Sequence, residues 1–225
     1  IDHLDEAIEK HYLQVYYQPV IRTLTGRLCG AEALIRWIDP VKGFLSPGDF
    51  IPLFEEMNLS YKVDRYVIQE VTQGLRDHID KGKKIVPVSI NLSRADFQMM
   101  DPLTELNQAM RKNGLRQSLV HVEITESALS KDVAGLKRAI HNFRQAGYEV
   151  WMDDFGSGYS SLNYLKNFEF DEIKLDMIFM KDFDEASKKI LTACVKMAKD
   201  LGIHTLAEGV ETKQQLDFLQ SIGCE

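Results

Sequence analysis

The sequence predicts an α/β fold in which parallel strands are joined by crossover helices. Three observations carry this. Short β-rich runs alternate with longer amphipathic stretches along the whole chain, helix boundary residues fall between them, and acids or amides recur near the ends of the runs. The runs are Leu13–Val20, Leu28–Trp37, Ile85–Leu92, Leu119–Thr125, Tyr148–Asp153, Glu172–Asp176 and Ile203–Glu208. Helical spacing links them. Tyr61–Gly82 carries Val63, Val67, Ile68, Val71 and Leu75, and Lys131–Ala146 carries Val133, Leu136, Ile140 and Phe143. Asp184–Leu201 carries Ile190, Leu191, Val195 and Met197, and Thr212–Ile222 carries Leu216, Leu219 and Ile222. The gap between Trp37 and Ile85 has room for two helices, roughly Pro47–Met57 and Ser60–Lys81. Ser93 opens an acidic helical turn, and Gly114, Gly147 and Gly202 follow helices, as caps require. Seven strands fit either a (β/α)8 barrel short of its last unit or a doubly wound open sheet. The absence of a Gly-x-Gly-x-x-Gly turn after an early strand weakens the dinucleotide-binding form of the latter.

Composition narrows the function classes. The chain has 225 residues, 44% of them apolar and 27% charged, which is ordinary globular usage and excludes disordered and collagen-like classes. With 34 acids against 27 bases the net charge is −7, and no dense Lys/Arg cluster appears. A DNA or RNA polymer and an anionic membrane surface are therefore unexpected partners. No stretch approaches the roughly 18 apolar residues of a membrane span. The three cysteines, Cys29, Cys194 and Cys224, lack metal spacing and read as reduced thiols of a cytoplasmic domain. The chain begins at Ile1, and the expectation is a piece of a longer protein, one open to membrane attachment elsewhere.

The chemistry lies in the polar residues of otherwise apolar runs. Glu32 lies in Gly30-Ala31-Glu32-Ala33-Leu34, Asn91 ends Val88-Ser89-Ile90-Asn91, and Glu123 sits in Val122-Glu123-Ile124-Thr125. Asp153 and Asp154 follow Val150-Trp151-Met152, Lys174 and Asp176 alternate with Ile173 and Leu175, and Glu208 ends Thr205-Leu206-Ala207. Taken singly, each acid reads more readily as a satisfied structural group. Repetition on consecutive strands changes that reading, because strands covered on both faces should be apolar and converging acids repel. Divalent cations relieve the repulsion, and all-oxygen ligation suits Mg2+ or Mn2+. His121 and His204 read as core histidines, and Tyr12, Tyr16 and Tyr17 as packing.

These residues, in order, resemble the EAL-domain family of bacterial cyclic di-GMP phosphodiesterases. Glu32-Ala33-Leu34-Ile35-Arg36-Trp37 resembles the naming motif, and Tyr17-Gln18-Pro19-Val20 the first-strand motif. Asn91-Leu92-Ser93, Glu123-Ile124-Thr125-Glu126, Asp153-Asp154-Phe155-Gly156, Lys174-Leu175-Asp176 and Glu208-Gly209-Val210-Glu211-Thr212 resemble the rest. The resemblance implies a modified TIM-type barrel whose first strand runs against the others. It implies hydrolysis of one phosphodiester of cyclic di-GMP to the linear dinucleotide, using two divalent cations. Metal ligands would be Glu32, Asn91, Glu123, Asp153 and Asp154. Lys174 would orient the attacking water, with Glu208 and Glu32 also counted as catalytic. Gln18, Leu34, Arg36, Asp176 and Glu211 would contact the ligand. Glu126 would anchor the Asp154–Ser161 loop. A homodimer and an upstream sensory or GGDEF domain would be partners. In the family a further strand with a Gln-Gly signature and a last helix follow the Glu208 motif, so the expected barrel lacks its eighth unit here. A catalytically silent cyclic di-GMP receptor, signalling by conformational change, is the alternative. A metal-dependent barrel lyase is the reading that the residues leave open without the family.

Overall fold

A computed structural model describes residues 3–125, 128, 133–157 and 161–225. They fall into two compact units, one of residues 1–20 and 30–120 and the other of residues 21–29 and 121–225.

In the first unit, helix α1 (Leu4–Glu9) precedes strand β1 (Leu13–Arg22), which is followed by its antiparallel neighbour β2 (Arg27–Asp39). The short strand β3 (Gly43–Leu45) pairs antiparallel with the end of β2, matching Trp37 with Leu45. Helices α2 (Pro47–Glu56) and α3 (Ser60–Asp80) come next, then β4 (Val88–Leu92), parallel to β2 with Glu32 beside Ser89. Helices α4 (Arg94–Met99) and α5 (Pro102–Lys112) complete the unit. The two helices expected between Trp37 and Ile85 are present within one residue of their boundaries. Two helix starts are specified locally: Ser46 with Asp49 and Ser93 with Asp96 form reciprocal capping boxes on α2 and α4. The face of α3 with Val63, Val67, Ile68, Val71 and Leu75 is buried, as its 3.6-residue period requires. Trp37 packs edge-on to Phe50 and stacked on Phe54, which pins α2 to β2.

In the second unit the strands β5 (Val120–Thr125), β6 (Glu149–Phe155), β7 (Glu172–Leu175) and β8 (His204–Ala207) are consecutive parallel neighbours. The crossovers are helices α6 (Val133–Gln145) between β5 and β6, α7 (Ser161–Asn167) between β6 and β7, and α8 (Ile178–Lys181) with α9 (Glu185–Asp200) between β7 and β8. Helix α10 (Lys213–Ile222) follows β8. Val122, Ile124, Val150, Met152, Ile173 and Leu175 are fully buried. Residues paired across parallel strands share a face, so Glu123, Trp151, Glu172 and His204 form one row. Residues 21–29 belong here because Thr23 N–H donates to Glu225 O, and Gln220 Nε2 donates to Thr23 O at 2.5 Å.

Two expectations are corrected. His204 is not a core histidine: its side chain is 61% exposed and its Nδ1 lies 2.9 Å from Glu225 Oε2. Tyr16 and Tyr17 are half exposed on β1 rather than packed. His121 is buried, stacked on Trp151 at 4.6 Å. Cys29, Cys194 and Cys224 form no disulfide among the described residues. Among the described residues no helix is long and apolar enough to cross a membrane.

Candidate active site

The ends of β5 to β8 gather charge around one lysine. Lys174 is buried to 2% exposure on β7, between Ile173 and Leu175, which point the other way. Its ammonium lies 2.6 Å from Glu123 Oε2 on β5, 3.0 Å from Asp153 Oδ1 on β6 and 2.9 Å from Glu208 Oε1 just past β8. An ammonium has three hydrogens to donate, and these three oxygens can take all of them. Glu123 is itself fully buried, so the pair is held in low dielectric, where the attraction is strong.

Asp154 joins this cluster by a break in strand regularity. Consecutive residues of a strand point to opposite faces, so Asp153 and Asp154 should diverge. A bulge shifts the β6–β7 register between Met152 and Phe155, and Asp154 takes a left-handed φ of 57°. Its N–H donates to Asp153 Oδ1 at 2.9 Å. The result is that Asp153, Asp154 and Glu208 each offer a carboxylate oxygen within 4.8 Å of the others. One ammonium cannot balance the four carboxylates of Glu123, Asp153, Asp154 and Glu208. The donors are all carboxylate oxygens, a set that can hold a divalent cation.

In the first unit, Glu32 on β2 and Asn91 on β4 are brought together: Asn91 Nδ2 donates to Glu32 Oε1 at 3.0 Å. Arg36 donates to Ile35 O and lies 5.9 Å over the Tyr16 ring. Gln18 is exposed on β1 and Leu34 is half-buried on β2. Two of the expected ligand contacts carry local structure. Asp176 Oδ1 accepts from Ile178 N at 2.7 Å at the start of α8, and Glu211 N donates to Gln215 Oε1 at 2.9 Å. Glu126 lies outside the described residues. Residue reading missed Gln215, Phe179 and Met177, which pack on the loops bearing these acids. The only signal for Gln215 was the spacing Thr212-x-x-Gln215 ahead of an apolar run, a capping box that the structure contains.

The chain is similar to several curated proteins and solved structures. PdeR, a cyclic di-GMP phosphodiesterase of Escherichia coli K12, is 36% identical over 222 residues, covering 98% of this chain and 33% of its own length. MucR, a bifunctional diguanylate cyclase/cyclic di-GMP phosphodiesterase of Pseudomonas aeruginosa, is 33% identical over 223 residues, covering 98% of this chain and 33% of its own. The chain thus spans about a third of the length of these curated relatives. The solved c-di-GMP complex of the PaMucR phosphodiesterase superposes with a TM-score of 0.91 at 32% identity, covering 100% of this chain and 92% of that one. The α/β class, with mostly parallel strands and an antiparallel first strand, is shared with such structures. The model of the EAL domain family matches residues 1–225, and the chain belongs to that family.

Proposed function

We propose that the 225 residues act as a single EAL domain that hydrolyses one phosphodiester of cyclic di-GMP to the linear dinucleotide, using Mg2+ or Mn2+. The observation that carries this reading is Lys174, buried among three carboxylates with a fourth acid alongside. Among the described residues these four carboxylates outnumber the one ammonium they surround, an excess that added cations would balance. It is supported by relatives named for this activity.

Asp153, Asp154 and Glu208 would hold cations, with Glu123, and by the family resemblance also Glu32 and Asn91. Bound there, divalent cations supply positive charge to the phosphodiester oxygens and acidify water. The rest falls to this chain's own groups. Lys174 takes the role of ordering the attacking water, since its ammonium turns from a carboxylate to a water oxygen at little cost in hydrogen bonds. Glu208, at 29% side-chain exposure, is the most open of the three Lys174 partners and the one suited to meet entering water. Arg36 is the guanidinium available to a phosphate, and Gln18, Leu34, Asp176 and Glu211 complete the proposed ligand contacts. Glu126 keeps its proposed place as loop anchor. We further propose that the domain is cytoplasmic, forms a homodimer and lies behind a sensory or GGDEF domain of a longer protein.

The test is turnover of cyclic di-GMP by the purified chain with Mn2+ or Mg2+, read as linear dinucleotide. Product that disappears on chelation is the expected outcome. Tight binding with no product in either cation would replace this reading with the receptor.

A further inference from the structure

The short helix α8 lies between the two segments that carry active-site acids, the end of β6 and the stretch after β8, and it grips both. On one side, Asp176 N donates to Phe155 O, tying the start of the α8 segment to the end of β6. The Phe179 ring covers Gly156, whose φ is 100°, so that a Cβ there would collide with the ring. On the other side, Glu208 N donates to Leu175 O, and Met177 packs on Gly209, where a Cβ would lie 2.7 Å from Met177 Cβ. Gly209 is also left-handed, at φ 68°. Gln215 closes the loop from beneath. Its Nε2 donates to Met180 O at 3.0 Å, and its Oε1 accepts from Glu211 N at 2.9 Å and Thr212 N at 2.8 Å. Gln215 is 7% exposed, so these bonds are shielded from water.

We propose that α8 and Gln215 form a strap that couples the Asp153–Gly156 segment to the Glu208–Thr212 segment, which makes Met177, Phe179 and Gln215 positioning residues for the proposed hydrolysis. The physical need is clear from the site. Asp153 and Asp154 lie at the end of β6 and Glu208 just past β8, and they must keep oxygens within 4.8 Å while carrying like charge. Repulsion pushes the loops apart, and a rigid apolar wedge with one buried amide resists this without adding charge. Both glycines are where the wedge touches backbone, so each loop is held at the main chain next to its acid. That the strap serves hydrolysis rests on the function proposed above.

The experiment separates the two. Amide hydrogen exchange is measured on the full chain without cations for wild type, Phe179→Ala, the milder Phe179→Leu, and Gln215→Met, which keeps volume and loses the amide. Phe179→Ala should speed exchange about fivefold or more at the Glu211 and Thr212 amides, which it does not touch. Gln215→Met should do likewise at Ser157, whose N–H donates to Asp154 O. Phe179→Leu should give an intermediate effect. Exchange changes confined to the substituted side overturn the strap. In the wild type, absence of turnover with Mn2+ overturns the proposed function and leaves the exchange result standing. With turnover present, Phe179→Ala and Gln215→Met should each lose about tenfold or more in kcat with KM within about threefold. Unchanged kcat would overturn the positioning role.

Discussion

Lys174 is the residue on which burial and charge meet. A lysine at 2% exposure is tolerated only because Glu123, Asp153 and Glu208 surround its ammonium. Lys174→Met keeps length and apolar stem but removes the shared cation from three acids. We expect a loss of about 3–5 kcal/mol in stability without cations. Added Mn2+ should stabilise the variant more than the wild type, and turnover should vanish. Urea unfolding with and without Mn2+ reads all three, and a variant as stable as wild type without cations would refute the arrangement. This cluster was legible in sequence because Glu123 and Lys174 interrupt runs of Val, Ile and Leu whose alternation fixes which face they share. The approach of Asp154 was not legible, since it depends on a bulge and a left-handed φ at one aspartate. Two residues suggested as ligand contacts, Asp176 and Glu211, use a side-chain oxygen and a backbone N–H for local bonds.

Helices α3 and α4 are linked by a contact that no periodicity reveals. Asp64 of α3 and Asp96 of α4 lie close together beside Ser93. Ser93 N and Oγ donate to Asp96 Oδ2 at 2.6 and 3.0 Å, and Ser60 Oγ lies 2.9 Å from Ser93 Oγ. Burial pushes Asp96 up to about 6, and burial together with the Asp96 charge holds Asp64 well above the usual carboxylate range. The folded pair therefore binds protons that the unfolded chain releases. Its contribution to stability is complete below the ordinary carboxylate range near 4 and is lost as the pH rises through about 6 and beyond. Asp64→Asn retains a donor to Asp96 and has no proton to lose. We expect wild type to lose on the order of 1–3 kcal/mol more than this variant between pH 5 and pH 8. Parallel urea midpoints across that range would refute a shared proton. Element reading worked where the period is sustained, as for α3, whose Val63, Val67 and Val71 recur at helical spacing. It failed for β3 and α8, of three and four residues, which are too short to show any period. The position of β3 is set by its pairing with Trp37, Ile38 and Asp39, and the start of α8 by the local bond from Ile178 N to Asp176 Oδ1.

At the scale of the molecule, sequence order and spatial grouping part company. Residues 21–29 sit with residues 121–225, through Arg22 to Glu225 and Thr23 to Cys224. Contacts across some 200 positions leave no trace in a local window, so this grouping was invisible beforehand. Net charge, by contrast, is a property of the whole sequence, and it bears directly on how an anionic ligand is held. At −7 the molecule's own field repels a phosphodiester at long range. Attraction must then come from cations at short range, inside a site that bulk salt screens poorly. A binder that uses a basic surface releases counterions and weakens steeply as salt rises. Here the opposite is expected. Between 50 and 200 mM NaCl, at saturating Mn2+, KM for cyclic di-GMP should change less than about twofold and tend downward as the repulsive field is screened. Removal of Mn2+ at constant ionic strength should abolish binding measured by calorimetry. A tenfold rise in KM over that salt range, or binding that survives chelation, would mean that lysine and arginine side chains hold the phosphates and that the acidic cluster does not recruit cations for this ligand.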